Sequence, residues 1–404
     1  MIAISVVGLA ACGNVSGHVS STKTGDISHP AERGSPIEAL RSVCGDGALT
    51  TYGAPALPRQ PYLQQVTATT ATVGWVTASP VSAHVAITSP PGSLLGTTPA
   101  VVENYALRTD GETQMWSATT DLEPGTVYCY QVADDTQNLT ERTGFKTAPA
   151  ADDPAPVRFL AFGDSGGGGS DQYALLEQMY TVPYDLMIHT GDLAYDSGTI
   201  SQFEDTVFAV YADLFRNIPF FPAAGNHDYK TMQGAPFRDV FNLPGDSGER
   251  WYSYDWGRVH FVALDTEADY STQMAWLDRD LAANKLPWKV IYMHKPPYSS
   301  GLHGSDTTLR SKLAPLLDRY GVQLVLAGHD HDYERIKPQN GTTFVVTGGG
   351  GVGTRNVGSS SFTALSEDVI HFVYVEVGLD EAVLHAIDAT GREFDSTVIP
   401  RTAL

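Results

Sequence analysis

A metal-binding side chain follows one apolar run after another in this sequence. Asp164 follows Val157–Phe162, in Gly163-Asp164-Ser165-Gly166. Asp192 follows Leu186–His189, in Gly191-Asp192-Leu193-Ala194-Tyr195. Asn226 and His227 follow Phe220–Ala224, and His294 ends Val290–Met293. His329 and His331 follow Leu324–Ala327, in Gly328-His329-Asp330-His331. Alternate residues on an extended segment share a face, so His329 and His331 can chelate together. Asp and His donors suit borderline and hard ions such as zinc, iron and manganese. The set exceeds the four ligands one tetrahedral ion takes, which implies two ions. Glycine precedes four of the clusters, where it allows the chain a sharp turn.

These residues need elements that bring them together. From residue 157 on, apolar strands alternate with helical stretches near Gln172–Tyr180, Ser201–Leu214, Thr272–Ala282 and Thr307–Tyr320. Strand–helix alternation indicates a layered α/β domain. Ligands gather outside the carboxyl ends of the strands in open α/β sheets, which is where these side chains fall. The chain from Pro58 to about Thr147 reads differently. Thr72–Val76, His84–Ile87 and Val127–Val132 are short alternating strands between turn signals, the pattern of an all-β sandwich. Residues 148–156, rich in Pro, Ala and Asp, read as a linker. Gly348–Gly351 reads as a flexible turn in preference to part of a site rim.

The whole chain has 404 residues, enough for two domains at roughly 100–200 residues each. Asp and Glu number 46 against 25 Lys and Arg, giving a net charge of -21. That balance excludes general nucleic-acid binding, which rests on cationic side chains displacing counterions. An anionic substrate would have to be held by something other than bulk charge, and metal ions can do so. The mean hydropathy of -0.14 and 42% hydrophobic residues exclude wholesale disorder.

The N-terminus carries an address. Leu9-Ala10-Ala11-Cys12 follows the apolar run Ile2–Leu9 and resembles a bacterial lipobox, so residues 1–12 are expected to be a lipoprotein signal peptide. No Lys or Arg occurs in the first eleven residues, so the usual positive start is missing, and a plain secretory segment is the alternative. Residues 13–57, rich in Gly, Ser, Thr, Pro and Ala, read as a flexible tether. The expected location is extracytoplasmic, at the cell surface or secreted, with membrane contact only through a lipid on Cys12. Export permits a disulfide between the remaining cysteines, Cys44 and Cys129; two buried thiols are the alternative.

The blocks GDSG, GDLAY, GNHD, MHKPPY and GHDHDYER resemble the five motifs of the calcineurin-like metallophosphoesterases. The tyrosine three residues after Asp192 and the ending YER resemble the purple acid phosphatases within that superfamily. The Trp75 strand and the turn Leu122–Thr126 resemble a fibronectin type III domain. The resemblance implies two domains: a fibronectin III-like sandwich over 58–148, then an α/β four-layer (αββα) metallophosphoesterase domain over 156–400. It implies that Asp164, Tyr195 and His331 hold one ion, ferric, and that Asn226, His294 and His329 hold a divalent one, zinc, iron or manganese. Asp192 would bridge them. His227 would contact the phosphate or protonate the leaving oxygen, and His303 would bind substrate. Many family members carry Glu where this chain has Asp228, which puts substrate preference in question more than metal binding.

The implied activity is hydrolysis of a small phosphomonoester, of the acid phosphatase type, by a metal-bound hydroxide. Diester or nucleotide cleavage at the same metals is the alternative. A non-catalytic adhesion protein is a third, and a full ligand set argues against it.

Overall fold

The computed structural model describes residues 29–48, 57–79, 81–90, 92–103, 112–245 and 248–402. Cys12 and the lipobox lie outside the described residues.

Two antiparallel four-stranded sheets form the N-terminal sandwich. One has Arg59–Gln64, Ala71–Thr77, Thr113–Thr119 and Val101–Glu103 in that order; the other has Leu94–Pro99, Ala83–Thr88, Val127–Asp134 and Thr143–Lys146. Their alternating apolar residues meet between the sheets, where Trp75, Val85, Tyr130, Val132 and Phe145 are fully buried.

The second domain has two larger sheets packed face to face. The six-stranded sheet runs Phe220–Pro222, Leu186–His189, Val157–Phe162, His371–Val377, Glu381–Asp388 and Glu393–Pro400. The seven-stranded sheet runs Tyr252–Trp256, Val259–Ala263, Trp288–Met293, Leu324–Ala327, Thr342–Thr347, Tyr333–Gln339 and Thr363–Glu367. Phe159 meets Phe261 edge to face across the layers, with centroids 5.2 Å apart. Helices Ser170–Met179 and Ala209–Phe215 bury Leu175, Met179, Tyr211 and Leu214 on the outer side of the first sheet. Helices Tyr270–Ala283 and Thr307–Tyr320 bury Leu277, Leu281, Leu313 and Leu317 against Val262, Ile291 and Val325 of the second. Strands covered on both faces read as continuous apolar runs, as these do. The result is the expected αββα stack.

Register decides what leaves the sheets where. Phe162 and Pro222 both pair with His189, so three parallel strands end at one level. Met293 pairs with Ala327 in the other sheet, so those two strands also end together. The loops bearing the candidate ligands therefore leave from two level edges.

The two domains share one continuous core. Arg59, buried at 1% exposure, reaches from the sandwich to Glu204, with Nη2 to Oε1 at 2.6 Å, and donates to the Val240 carbonyl. Glu204 opens a π-helical turn, Glu204–Phe208, and the Arg59 guanidinium lies 3.7 Å from the Phe208 ring centre. Tyr130 Oη donates to the Arg216 carbonyl at 2.8 Å.

Two expectations need correction. Part of the segment read as a tether is structured: Glu38–Cys44 is a helix that buries Ile37, Leu40 and Cys44 on the sandwich. Cys44 is joined to Cys129 by a disulfide across a sequence separation of 85. In the chain-entropy model a loop of this length is worth roughly 4–5 kcal/mol. Three buried side chains and a crosslink hold a helix that averaged composition does not reveal. Gly348–Gly351, read as a flexible turn, is buried throughout and lies under Asp164: the Gly350 N–H donates to the Gly163 carbonyl at 2.9 Å.

Two buried histidines lie between pairs of carboxylates. His260 Nδ1 is 2.7 Å from Asp255 Oδ1, and its Nε2 is 2.8 Å from Asp280 Oδ2. His385 lies 2.8 Å from Glu393 and 3.6 Å from Glu376. Burial lowers both imidazoles, but the carboxylate bonds outweigh it and raise both above the usual histidine value. A raised folded value stabilises fully below the unfolded value of about 6.5, and the contribution is lost as pH rises through the folded value. Urea midpoints should therefore fall as pH rises above about 6.5. The double variant His260→Gln, His385→Gln should flatten that slope; parallel wild-type and variant profiles would remove these residues as its cause.

Candidate metal centre

Asp164, Asp192, Tyr195, Asn226, His294, His329 and His331 converge at the facing strand ends. Tyr195 Oη joins one group: it lies 3.0 Å from Asp164 Oδ1, 3.1 Å from Asp192 Oδ2 and 3.2 Å from His331 Nε2. His294 Nε2 joins the other. It is 3.1 Å from Asn226 Oδ1, 3.1 Å from His329 Nδ1 and 3.2 Å from Asp192 Oδ2. Asp192 Oδ2 belongs to both groups. The sequence-expected ligands thus fall into two sets sharing one carboxylate oxygen.

The donor chemistry fits metal ions. His294 Nδ1 lies 3.0 Å from the Thr190 carbonyl, which takes its proton and leaves the Nε2 lone pair facing the group. Asp192, His294 and His329 present ligand atoms within 4.8 Å of one another. Lone pairs crowded together at this density call for a cation. Burial lowers His294, but Asp192 and Asp164 overcome it and raise the imidazole to about 9. Burial, followed by His294 and His303, pushes His329 down to about 2. His329 is thus an uncharged donor beside a spot where the carboxylates demand positive charge. Burial, then Asp164 and Asp192, drives the Tyr195 phenol far above its usual value. A phenolate at that position needs a strongly Lewis-acidic ion beside it.

Comparison with known proteins agrees with this geometry. Residues 157–333 match the family model described as calcineurin-like phosphoesterase, and residues 58–147 match the purple acid phosphatase N-terminal domain. The chain is a purple acid phosphatase-like member of the calcineurin-like superfamily. Tartrate-resistant acid phosphatase type 5 of Rattus norvegicus is 28% identical over 306 residues, covering 63% of this chain and 92% of that protein. An Arabidopsis thaliana protein named "Probable inactive purple acid phosphatase 27" is also 28% identical, over 57% of this chain and 48% of its own length. Among solved structures, the purple acid phosphatase from yellow lupin seeds superposes with a TM-score of 0.78 at 22% identity, covering 86% of this chain and 75% of that one. The two family models carry the family assignment and the superposition shows the fold; neither separates active from inactive members, a distinction that falls to the candidate ligands.

In this purple acid phosphatase-like chain three of the candidate ligands take the left-handed backbone region: Asp164 at φ 58°, Asp192 at 55° and His329 at 72°. Such conformations cost about 1–3 kcal/mol each and persist where surroundings over-determine them. The glycines before them act mainly by leaving space. A Cβ on Gly225 would sit 2.2 Å from Asp192 Oδ1, and one on Gly328 would sit 2.5 Å from Asp164 Oδ2. Only Gly191, at φ 99°, also has the positive φ that the sharp-turn reading requires of all four.

Asp228 has a role that sequence reasoning missed. It is fully buried and accepts N–H bonds from Leu193 at 3.0 Å, Ala194 at 3.1 Å and Gly225 at 2.9 Å. It thereby ties the loop of Asp192 and Tyr195 to the loop of Asn226. The departure from Glu at this position therefore bears on metal-site geometry, not chiefly on substrate preference. The signal available was an acid immediately after two site residues, with no lysine or arginine beside it to pair with.

The flanking histidines lie against the ligands. The His227 ring is 4.2 Å from the Tyr195 ring, and its Nε2 is 3.9 Å from Asp192 Oδ2. His303 packs over His329 at the same centroid distance, 4.2 Å. Asp330, between His329 and His331 in the chain, accepts the His303 N–H at 2.7 Å and the Ser299 hydroxyl at 2.5 Å.

Asp228→Ala would leave three buried backbone donors without an acceptor, at about 1–3 kcal/mol each. The expected outcome is a lower melting temperature together with loss of metal from both sets, measured by calorimetry and elemental analysis. A melting temperature and metal content equal to wild type would mean that Asp228 does not organise the site.

Proposed function

We propose that this chain hydrolyses phosphomonoesters as a two-metal acid phosphatase. Asp164, Tyr195 and His331 would hold one ion, Asn226, His294 and His329 the other, and Asp192 would serve both. The single observation that supports this most is the shared position of Asp192 Oδ2, within 3.2 Å of both Tyr195 Oη and His294 Nε2. Two bound ions would supply Lewis acidity toward the phosphate oxygens and toward water.

The remaining work falls to the chain's own side chains. His227 Nδ1 lies between two partners, the Asp196 carbonyl at 2.8 Å and Lys230 Nζ at 2.9 Å. Donation from Lys230 requires a lone pair on Nδ1, which puts the ring proton on Nε2, the atom facing the site. When the ring is doubly protonated, Nδ1–H turns to the Asp196 carbonyl and Nε2 still carries a proton. Only the doubly protonated ring serves as a general acid, passing its Nε2–H to the oxygen of the departing alcohol and returning to neutral imidazole. His303, fixed through Asp330 and stacked on His329, would orient the phosphate.

The ferric assignment rests on Tyr195, whose position three residues after Asp192 resembles the purple subgroup and whose Oη lies 3.0 Å from Asp164 Oδ1 and 3.2 Å from His331 Nε2. The Cys44–Cys129 bridge supports an extracytoplasmic location, because such bonds persist in oxidising compartments. No helix among the described residues is long and apolar enough to cross a membrane. Attachment through a lipid on Cys12 is the reading that Leu9–Cys12 supports.

Three experiments test the proposal. Metal-loaded protein should be pink to purple from phenolate-to-iron charge transfer, and Tyr195→Phe should be colourless. Active, metal-replete wild type without a visible band would place zinc or manganese in that set instead. His227→Ala should keep both ions and lose about 10²–10⁴ in kcat on an alkyl phosphate. The loss should be much smaller on an aryl phosphate, whose phenolate leaves without needing a proton. Equal losses on both esters would give His227 a charge-stabilising role only. Monoester, diester and nucleotide substrates assayed side by side decide the reaction class.

A further inference from the structure

Two cations stand at the outer edges of the two flanking histidines. Lys230 Nζ is 2.9 Å from His227 Nδ1, and Arg355 Nη1 is 3.5 Å from His303 Nε2. In a chain of net charge -21, most basic groups near acids are paired: Arg59 with Glu204, Lys295 with Glu267 and Arg335 with Asp395, for example. Among the described residues neither Lys230 nor Arg355 pairs with a carboxylate. Each instead has an active-site histidine as its side-chain partner.

Their placement is built, not incidental. The Arg355 N–H donates to the carbonyl of His331 at 2.9 Å. Its loop leaves the buried glycine run under Asp164 and is pinned again where the Gly358 N–H meets the Ser300 carbonyl at 3.2 Å. The Lys230 N–H bonds to the His227 carbonyl at 3.2 Å. His227 lies over Tyr195 of one ligand set, and His303 over His329 of the other. The cations therefore flank the centre on both sides, one imidazole further out than the groups that would touch the scissile phosphate. Lys230 is exposed and Arg355 half-buried, so both can reach a ligand. The guanidinium fork matches a phosphate in two places at once.

We infer that Lys230 and Arg355 provide two outer anion contacts, one on each side of the centre, that favour phosphomonoesters whose leaving group carries a second phosphate. The inference rests on the phosphatase reading above. The scissile phosphate already has the metal centre and two histidines. Charge at the outer edge acts on whatever extends beyond it. It also offsets locally the field of an acidic protein, which otherwise repels a multiply charged substrate. The chemistry of hydrolysis is unchanged: water oxygen bonds to phosphorus, the ester P–O bond breaks, and the released alkoxide takes a proton.

The test compares propyl phosphate with 1,3-propanediol bisphosphate on the metal-loaded protein at fixed ionic strength. Two equivalent phosphates give a statistical advantage of two in kcat/KM. Partly exposed charged contacts contribute about three- to fivefold each, so wild type should favour the bisphosphate by roughly tenfold or more. Arg355→Gln and Lys230→Gln should each lower that ratio, and the double variant should bring it close to the statistical two. The ratio is internal to each variant, so a general loss of folded protein does not move it. Calorimetric binding of propylphosphonate and 1,3-propylenebisphosphonate repeats the comparison without turnover. Wild type that hydrolyses neither ester, yet prefers the bisphosphonate through these two residues, would sink the phosphatase reading and leave the two contacts standing. A wild-type ratio near two, or a high ratio unchanged in the double variant, would overturn the two contacts whatever the activity.

Discussion

The site depends on two carboxylates, Asp164 and Asp192, buried at 0% and 2% exposure at the ends of neighbouring parallel strands. Burying ionised carboxylates without partners costs several kcal/mol each, so the surroundings must supply positive charge and hydrogen-bond donors. The backbone supplies part: His329 N–H reaches Asp164 Oδ2 at 2.8 Å, and His227 N–H reaches Asp192 Oδ1 at 2.7 Å. Tyr195, His294 and His331 crowd the remaining oxygens. These donors do not balance the charge. Metal ions would, and ion binding would then complete an electrostatic arrangement that folding creates.

Holding that charge in place costs backbone strain, and the layers around it explain why the strain persists. Asp164, Asp192 and His329 hold positive φ because each follows a strand whose register is fixed on both sides. Relaxing the Asp192 loop would break the staple that Asp228 makes to the Asn226 loop, and relaxing the Asp164 loop would break its contact with the glycine run 348–351. Two sheets with continuous apolar strands provide the rigid edges. The interdomain anchor at Arg59 meets the helical segment that carries the π turn, so the sandwich braces the catalytic domain from behind its first sheet.

The candidate ligand set was legible in the sequence because strand ends announce themselves: an apolar run stops and a metal-binding side chain follows. Six candidate ligands and Tyr195, singled out by that pattern and the family resemblance, converge in the fold. The parts that escaped depend on contacts distant in sequence. Nothing near Asp228 says that its partners are Leu193 and Ala194, 35 and 34 residues away. The four glycines were visible, but their purpose is space for a neighbouring loop's carboxylate, imidazole or, at Gly163, the Thr190 hydroxyl, which no local pattern encodes. The helix Glu38–Cys44 hid inside a stretch of small and polar residues because its stability comes from docking and from Cys129, not from its own periodicity. Lys230 and Arg355 are single cations in polar loops, and only their nearness to His227 and His303 distinguishes them.

Histidine does opposite things in two parts of this molecule. Metal-ligand histidines act through a lone pair, so protons compete with the ions and acid weakens the centre. His260 and His385 act through charge, bridging carboxylates that grip an imidazolium more firmly than an imidazole. Acid therefore strengthens the scaffold over the range in which it begins to challenge the metals. The two responses are also separated in space: His260 bonds a strand at the far edge of the seven-stranded sheet, and His385 lies on a strand beyond the central pair of the six-stranded one. Loss of function on the acid side should then begin at the ligands while the layers remain folded, a division of labour that suits a hydrolase whose nucleophile must form below neutral pH.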